Sequence, residues 1–367
     1  MGDPQPGRFR EGLRRTASGL LAPLVRWRCN GPSLPSEVRE ILIIELGGLG
    51  DVLHLDPVLR ALRDRYAGAR CSVVCRGYVA SAFELISGVD RVYGMDKQPG
   101  AALALARRLA RERFDLVLVT AWSCYAELLL LALRRPFAFA GYLSDYRLES
   151  HGCPAACTTE IANDVHLGEI RRAVLRAFGA RWPVSGHEAP GLGIELLRPP
   201  ARLPYGAALM PFCDDAGKSL SLDEAAALLR DLGEALPRPR VLLGGPKEED
   251  LLQALAGRLP AQWREPAGGF STAMEPRVCR TWTETAHHLL GAEYLLSVDT
   301  GVMHLGAALG VPVKALFRST LPSRCGAIAN GATVENYPWP GERARLLNAL
   351  RRPRLELIPK DACVTPV

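Results

Sequence analysis

Two turns concentrate the residues of this chain that can do chemistry. The first lies in ILIIELGGLGDVLHLDPVLRAL, Ile41 to Leu62, where Gly47, Gly48 and Gly50 lead to Asp51. The second lies in YLLSVDTGVMHLGAALGVPV, Tyr294 to Val313, and holds Asp299, Thr300, Gly301 and His304. Each is an apolar run that stops at small residues and a carboxylate, then continues as an amphipathic helix. Glycines let a backbone turn sharply and approach a ligand closely. A carboxylate on such a lip can accept a proton from a hydroxyl, and N–H groups at a helix start can cradle a diphosphate. Thr300 and the N–H groups of Gly301 and Val302 suit that second task, with His304 one helical turn further on. Plainer duties compete: Asp51 as a helix cap, and His304 as a packed core histidine.

The elements that must position these turns alternate between strand and helix. Ile41–Leu46 reads as a strand, Val52–Tyr66 as a helix, Cys71–Cys75 as a strand and Val79–Ser87 as a short helix. Arg91–Gly94, Ala101–Arg113, Leu116–Thr120 and Tyr125–Leu133 continue the alternation, and His166–Phe178 reads as a further helix after a polar loop, Ser144–Thr159. Arg181–Pro204 is rich in Pro and Gly and has no period, as a linker should be. The pattern then restarts, with strands at Ala207–Pro211, Val241–Gly244, Tyr294–Val298 and Val313–Phe317. Helices are expected at Leu222–Leu236, Lys247–Arg258, Thr283–Leu290 and Val302–Leu309, and a last one at Gly341–Leu350 is expected to pack back onto the first half. Such βαβ alternation predicts parallel sheets with helices on both faces. The expected divisions are an extension over 1–39, a first Rossmann-like domain over 40–185, a linker over 186–204, a second Rossmann-like domain over 205–338, and a helix and tail over 339–367. Ligands of open α/β sheets bind where strands end and helices begin, so the two turns should face each other across a cleft.

Bulk properties exclude several classes. A chain of 367 residues, 48% hydrophobic and 23% charged, is an ordinary globular protein with room for two cores. Its net charge of +6 comes with few aromatics and no interleaved basic block, which argues against nucleic acid. Ten cysteines in so long a chain do not make a disulfide scaffold. Cys71 and Cys75 read as small buried hydrophobes, and Cys153 and Cys157 lack a second pair to complete a zinc site. No apolar run approaches the ~20 residues that span a bilayer, and no signal peptide is visible. The arginine-rich stretch Phe9–Trp27 has the pattern of either a basic amphipathic helix on an anionic membrane or a partly ordered extension. The first glycine loop lacks the third Gly of the dinucleotide fingerprint, and Arg76 ends the second strand in place of an acidic residue, so a nicotinamide cofactor is not expected.

Four motifs in order, from about Ile41 to Gly326, resemble glycosyltransferase family 9, the heptosyltransferases of lipopolysaccharide core assembly. Gly50-Asp51-Val52-Leu53-His54 is similar to its N-terminal signature, and Ser297 through Leu305 to its Ser-Val-Asp-Thr-Gly-x-x-His-Leu segment. Lys218 in FCDDAGKSLSLDEAA resembles the family lysine, and Glu248 in LLGGPKEED the family glutamate. His166 and its helix also resemble a family segment. The resemblance implies a GT-B fold, two Rossmann-like domains facing across a cleft, with the acceptor on the N-terminal side and the nucleotide-sugar on the other. It implies an inverting, metal-independent transfer of a sugar, ADP-heptose being the expected donor, onto a lipid-linked saccharide. In those terms Asp51 is the base, beside the glycine loop Gly47, Gly48 and Gly50. Lys218, Thr300, Gly301 and His304 bind the donor, Glu248 its ribose and Asp299 its sugar hydroxyls. No cofactor and no metal is implied. The implied setting is the cytoplasm, with peripheral contact on the inner membrane through the basic N-terminal stretch.

The chain departs from the family pattern in the first helix, where Asp56 stands in place of a more usual apolar residue, and at two places in the second half. Ser219 follows Lys218 where a Trp is usual, and Phe317-Arg318-Ser319-Thr320-Leu321-Pro322 replaces Phe-Gly-x-Thr-Asp-Pro. Arg318 there has two readings, a partner for a phosphate or charged sugar, or a solvent-facing side chain. These departures leave open a different nucleotide-sugar, or a catalytically silent paralogue that only binds one.

Overall fold

The computed structural model describes residues 35–120, 123–135, 137–143, 147–151, 159–160, 205–237, 239–260, 274–329 and 331–351, with residues 21, 24, 25, 166, 168, 192 and 263 besides. Most of the Phe9–Trp27 stretch, Cys153 and Cys157, the helix after Gly168 and nearly all of the linker lie outside the described residues.

The first sheet comprises β1 (Glu40–Ile44), β2 (Arg70–Arg76), β3 (Arg91–Met95), β4 (Leu116–Val119), β5 (Ala138–Leu143), β6 (Arg147–His151) and β7 (Thr159–Glu160). Its order is β3-β2-β1-β4-β5-β6-β7. The pairs from β3 through β5 are parallel, and β6 and β7 add antiparallel strands at one edge. The expected loop over Ser144–Thr159 therefore contains a strand, and RLESH carries no apolar run that would have signalled it. The second sheet, β8 (Ala207–Met210), β9 (Arg240–Gly244), β10 (Met274–Val278), β11 (Leu295–Val298), β12 (Val313–Phe317) and β13 (Val334–Pro338), is parallel throughout in the order β10-β9-β8-β11-β12-β13. The two strands the sequence did not signal, β10 (MEPRV) and β13 (VENYP), are its two edges. Proline and charge are tolerated at edges and erase the apolar alternation.

The helix expected over Val52–Tyr66 is two: α1 (Leu49–Leu53) and α2 (Asp56–Arg65). Pro57, at the start of α2, explains the break, because it has no N–H to continue the ladder from α1. A 3₁₀ turn, Gly77–Glu84, follows β2, and α3 (Pro99–Leu109) and α4 (Cys124–Ala132) complete the first domain. In the second, α5 (Leu222–Leu232) stops at Gly233, whose φ of 45° favours glycine. α6 (Glu249–Arg258), α7 (Trp282–Leu290), α8 (Gly301–Ala308), the short α9 (Pro322–Cys325) and α10 (Arg343–Arg351) follow. The last helix does not return to the first half. Leu346 is buried in the core of the second domain beneath α5, and Arg343 pairs there with Asp231.

Strand alternation sorts the core. Ile41 and Ile43 face the α1–α2 side of their sheet, whereas Leu42 and Ile44 face α3 and α4. The first of these faces continues without interruption into the second domain, joining Leu49, Val52 and Leu53 to Val302, Met303 and Leu305. The two α/β units are thus pinned together at α1 and α8. Close approach there requires glycine: a β-carbon on Gly301 would lie 2.5 Å from the Leu49 Cβ. The substitution Gly301→Ala should lower stability by about 1–3 kcal/mol through overpacking. Urea unfolding measures this, and an unchanged midpoint would contradict direct contact between the helices.

Candidate active site

The site forms where the C-terminal ends of β1, β8, β9 and β11 meet. On the first domain's lip, Asp51 is the third residue of α1 and accepts the Gly48 N–H at 2.8 Å. The capping duty is therefore real, and it fixes the carboxylate over the glycine loop. Gly47 is needed for this, since a β-carbon there would fall 2.2 Å from Asp51 Oδ2. A second carboxylate, absent from the sequence reading, lies beneath: Glu45 is fully buried, accepting the Gly47 N–H at 2.7 Å and the Thr120 hydroxyl at 2.9 Å. It sits in an otherwise apolar strand end, and that interruption was the signal available.

On the opposite lip, Lys218 Nζ lies 2.8 Å from Asp299 Oδ2, and the Thr320 hydroxyl donates to the same oxygen at 2.5 Å. Burial alone would lower the Lys218 pKa, but the hydrogen bond and charge of Asp299 outweigh it and raise the value, so the ammonium is retained. An ammonium has three donors, and two remain for a ligand. Thr320, like Phe317 and Pro322, is kept from the family pattern, in which only the Gly and Asp positions are altered. Thr300 caps α8, its hydroxyl accepting the Val302 N–H at 3.1 Å. Of the two N–H groups expected to meet a diphosphate, Val302's is thus occupied by this cap.

His304, on α8, reaches across to the first domain. A β-carbon on Gly50 would lie 2.6 Å from its Cδ2. Its ring packs edge-to-face on His54 at 5.3 Å, and His54 packs likewise on His166 at 5.5 Å. His166 accepts the Gly168 N–H on Nδ1 at 3.0 Å, which leaves Nε2–H to donate to the Gly326 carbonyl at 2.8 Å. Burial pushes the His304 pKa from its ordinary 6.5 down to about 4; Asp299 and Asp51 pull it upward, while His166 and Lys218 reinforce the drop. Both carboxylates act on this one imidazole, so Asp51 and Asp299 lie near it.

Glu248 follows the end of β9. It closes the 3₁₀ turn Pro246–Glu248 by accepting the Gly245 N–H at 2.8 Å. The Arg318 side chain is only partly exposed. Its guanidinium donates to the Ser219 carbonyl at 2.6 Å and pairs with Glu224 at 3.0 Å. The two departures from the family pattern, at 219 and 318, therefore touch each other and tie β12 to the start of α5. Cys71 and Cys75 are buried as read, and burial pushes both thiols up to about 12. Among the described residues, no three His, Cys, Asp or Glu side chains converge in a metal-binding arrangement. Among them too, no helix is long and apolar enough to cross a membrane.

The linkage sign for His304 follows from its lowered pKa. The unfolded chain binds this proton more tightly, so stability is intact above 6.5 and lost as pH falls from there toward about 4. His304→Asn should flatten that part of the profile, read as urea midpoint against pH for both proteins. Parallel profiles would mean that His304 is not held neutral by the fold.

Comparison with known proteins bears on this geometry. The model of glycosyltransferase family 9 (heptosyltransferase) matches residues 226–338, which include Glu248, Asp299, Thr300, Gly301 and His304 but neither Asp51 nor Lys218. No curated protein matches the sequence. Among solved structures, the chain is similar to the E. coli heptosyltransferase WaaC with ADP, at 21% identity and TM-score 0.64, covering 85% of this chain and 98% of that one. It is similar to E. coli ADP-heptose lps heptosyltransferase II at 17% identity and TM-score 0.64, with coverage of 85% and 98%. A glycosyl transferase family 9 structure from Veillonella parvula DSM 2008 aligns at 16% identity and TM-score 0.63, covering 87% and 94%. These likenesses establish the fold as GT-B.

Proposed function

We propose, for a chain whose residues 226–338 match glycosyltransferase family 9, an inverting transfer of a sugar from a nucleotide diphosphate to a saccharide hydroxyl. The observation that carries the reading is the convergence of Asp51, from one domain, with the Lys218–Asp299–Thr320 group of the other. Asp51, the base, takes the acceptor proton as the hydroxyl attacks the anomeric carbon from its own side of the cleft. Attack from the face opposite the leaving group inverts that carbon. The departing diphosphate gathers negative charge, which the Lys218 ammonium and the Gly301 N–H at the start of α8 stabilise without calling on a cation. Asp299 aims Lys218 and, with its remaining acceptor capacity, meets sugar hydroxyls, while Glu248 holds the ribose. Enclosure between two domains excludes water and favours transfer over hydrolysis.

ADP-heptose is the proposed donor and a lipid-linked saccharide such as lipopolysaccharide core the proposed acceptor, at the cytoplasmic face of the inner membrane. Similar structures that hold ADP and an ADP-heptose analogue support that choice.

Calorimetric titration with ADP-heptose, beside UDP- and GDP-sugars and without added metal, tests the donor. Saturable binding of the ADP-sugar alone is expected, and preference for another nucleotide would reassign the sugar while keeping the site. Lys218→Ala should weaken ADP binding about tenfold or more. Asp51→Asn should cut turnover at least about a hundredfold with donor affinity retained. Turnover like the wild type in that variant would remove Asp51 from the base role.

A further inference from the structure

Arg76 and Tyr78 stand together at the cleft mouth. Tyr78, in the 3₁₀ turn after β2, is 51% exposed, although Val79, Ala82 and Phe83 of the same turn are buried. Its position is set from both domains. The Tyr78 carbonyl accepts the Trp282 Nε1–H of α7 at 2.8 Å, a bond across the cleft, and Thr283 beside it bonds Glu84 at 2.9 Å. Its phenol lies over the glycine loop: a β-carbon on Gly48 would be 3.5 Å from the Tyr78 hydroxyl and 3.9 Å from Asp51 Oδ2. The hydroxyl and the proposed base therefore flank one small opening.

Arg76 completes the arrangement. Its guanidinium stands 4.6 Å over the Tyr78 ring, and Nη1 donates to the hydroxyl at 3.3 Å. It forms no ion pair among the described residues. Facing it across the cleft, Asp214 is already paired with Lys247, and Asp51 is held by the Gly48 N–H. A half-exposed aromatic face suits the apolar face of a sugar ring. A planar guanidinium lacking a carboxylate partner suits a carboxylate or phosphate, which it can meet with two parallel hydrogen bonds.

We propose that Arg76 and Tyr78 are specificity-determining residues on the acceptor side: Tyr78 stacks on the sugar ring presented to Asp51, and Arg76 binds an anionic substituent of that ring. This rests on the reading of the cleft as a glycosyltransferase site.

Saturation-transfer NMR with methyl glucuronide, glucose 6-phosphate and methyl glucoside, in the presence of saturating ADP, tests it on the full chain. The acidic probes should bind beside ADP, with the neutral glucoside about tenfold weaker. Arg76→Gln should erase that preference, and Tyr78→Ala should weaken all three, with ADP affinity unchanged in both variants. Comparing the two acidic probes tells whether a carboxylate or a phosphate is favoured. Equal binding of acidic and neutral probes, or their displacement by ADP, would overturn the inference while leaving the donor reading intact. Failure of ADP itself to bind would count against the proposed function, and the probe preference with its loss in Arg76→Gln would still decide the assignment of this pair.

Discussion

The structure depends on one contact: two helix N-termini, α1 and α8, meeting where β-carbons are missing. Gly50 admits the His304 ring and Gly301 admits Leu49, each at a separation no side chain would tolerate. Because the contact is part of a continuous apolar core, the domains are registered by packing as well as by polar links across the cleft. Two helix starts brought so close concentrate partial positive charge. The carboxylates of Asp51 and Asp299 offset it, and the same field favours a diphosphate held between them. Glycine here serves geometry and electrostatics together: it allows the approach that makes the site's charges act on one another.

Around this contact the polar groups form two sets with different partners. Lys218, Asp299 and Thr320 belong to one domain and are bonded among themselves, so the donor side is organised whatever the other domain does. Asp51 is organised by its own capping bond to Gly48. His304 is the link between the sets. Held neutral and packed on His54, it lies near both carboxylates without adding a charge that would bind either of them.

Much of this was legible in the sequence because the chemistry and the fold use the same residues. An apolar strand ending in glycine and a carboxylate, followed by an amphipathic helix, identified both turns, and the restart of the pattern after the Pro/Gly-rich stretch identified two units. What escaped was governed by neighbours in space. The edge strands Met274–Val278 and Val334–Pro338 carry proline and charge because only part of each is covered. Pro57 divides a helix whose apolar period runs on across it. Arg318 could not be assigned from sequence, since its partners Ser219 and Glu224 are about a hundred positions away. Glu45 hid within an apolar run, and only the Thr120 hydroxyl and the Gly47 N–H explain how a fully buried carboxylate is accommodated there.

Hydrogen–deuterium exchange with and without ADP tests most directly the central claim, that ligand binds where the two turns meet. The account predicts joint slowing of exchange in the segments around Gly48–Leu53 and Thr300–Leu305, because ligand held at the α8 start also tightens the α1 contact. Slowing confined to other regions, or at neither turn despite saturation, would contradict it.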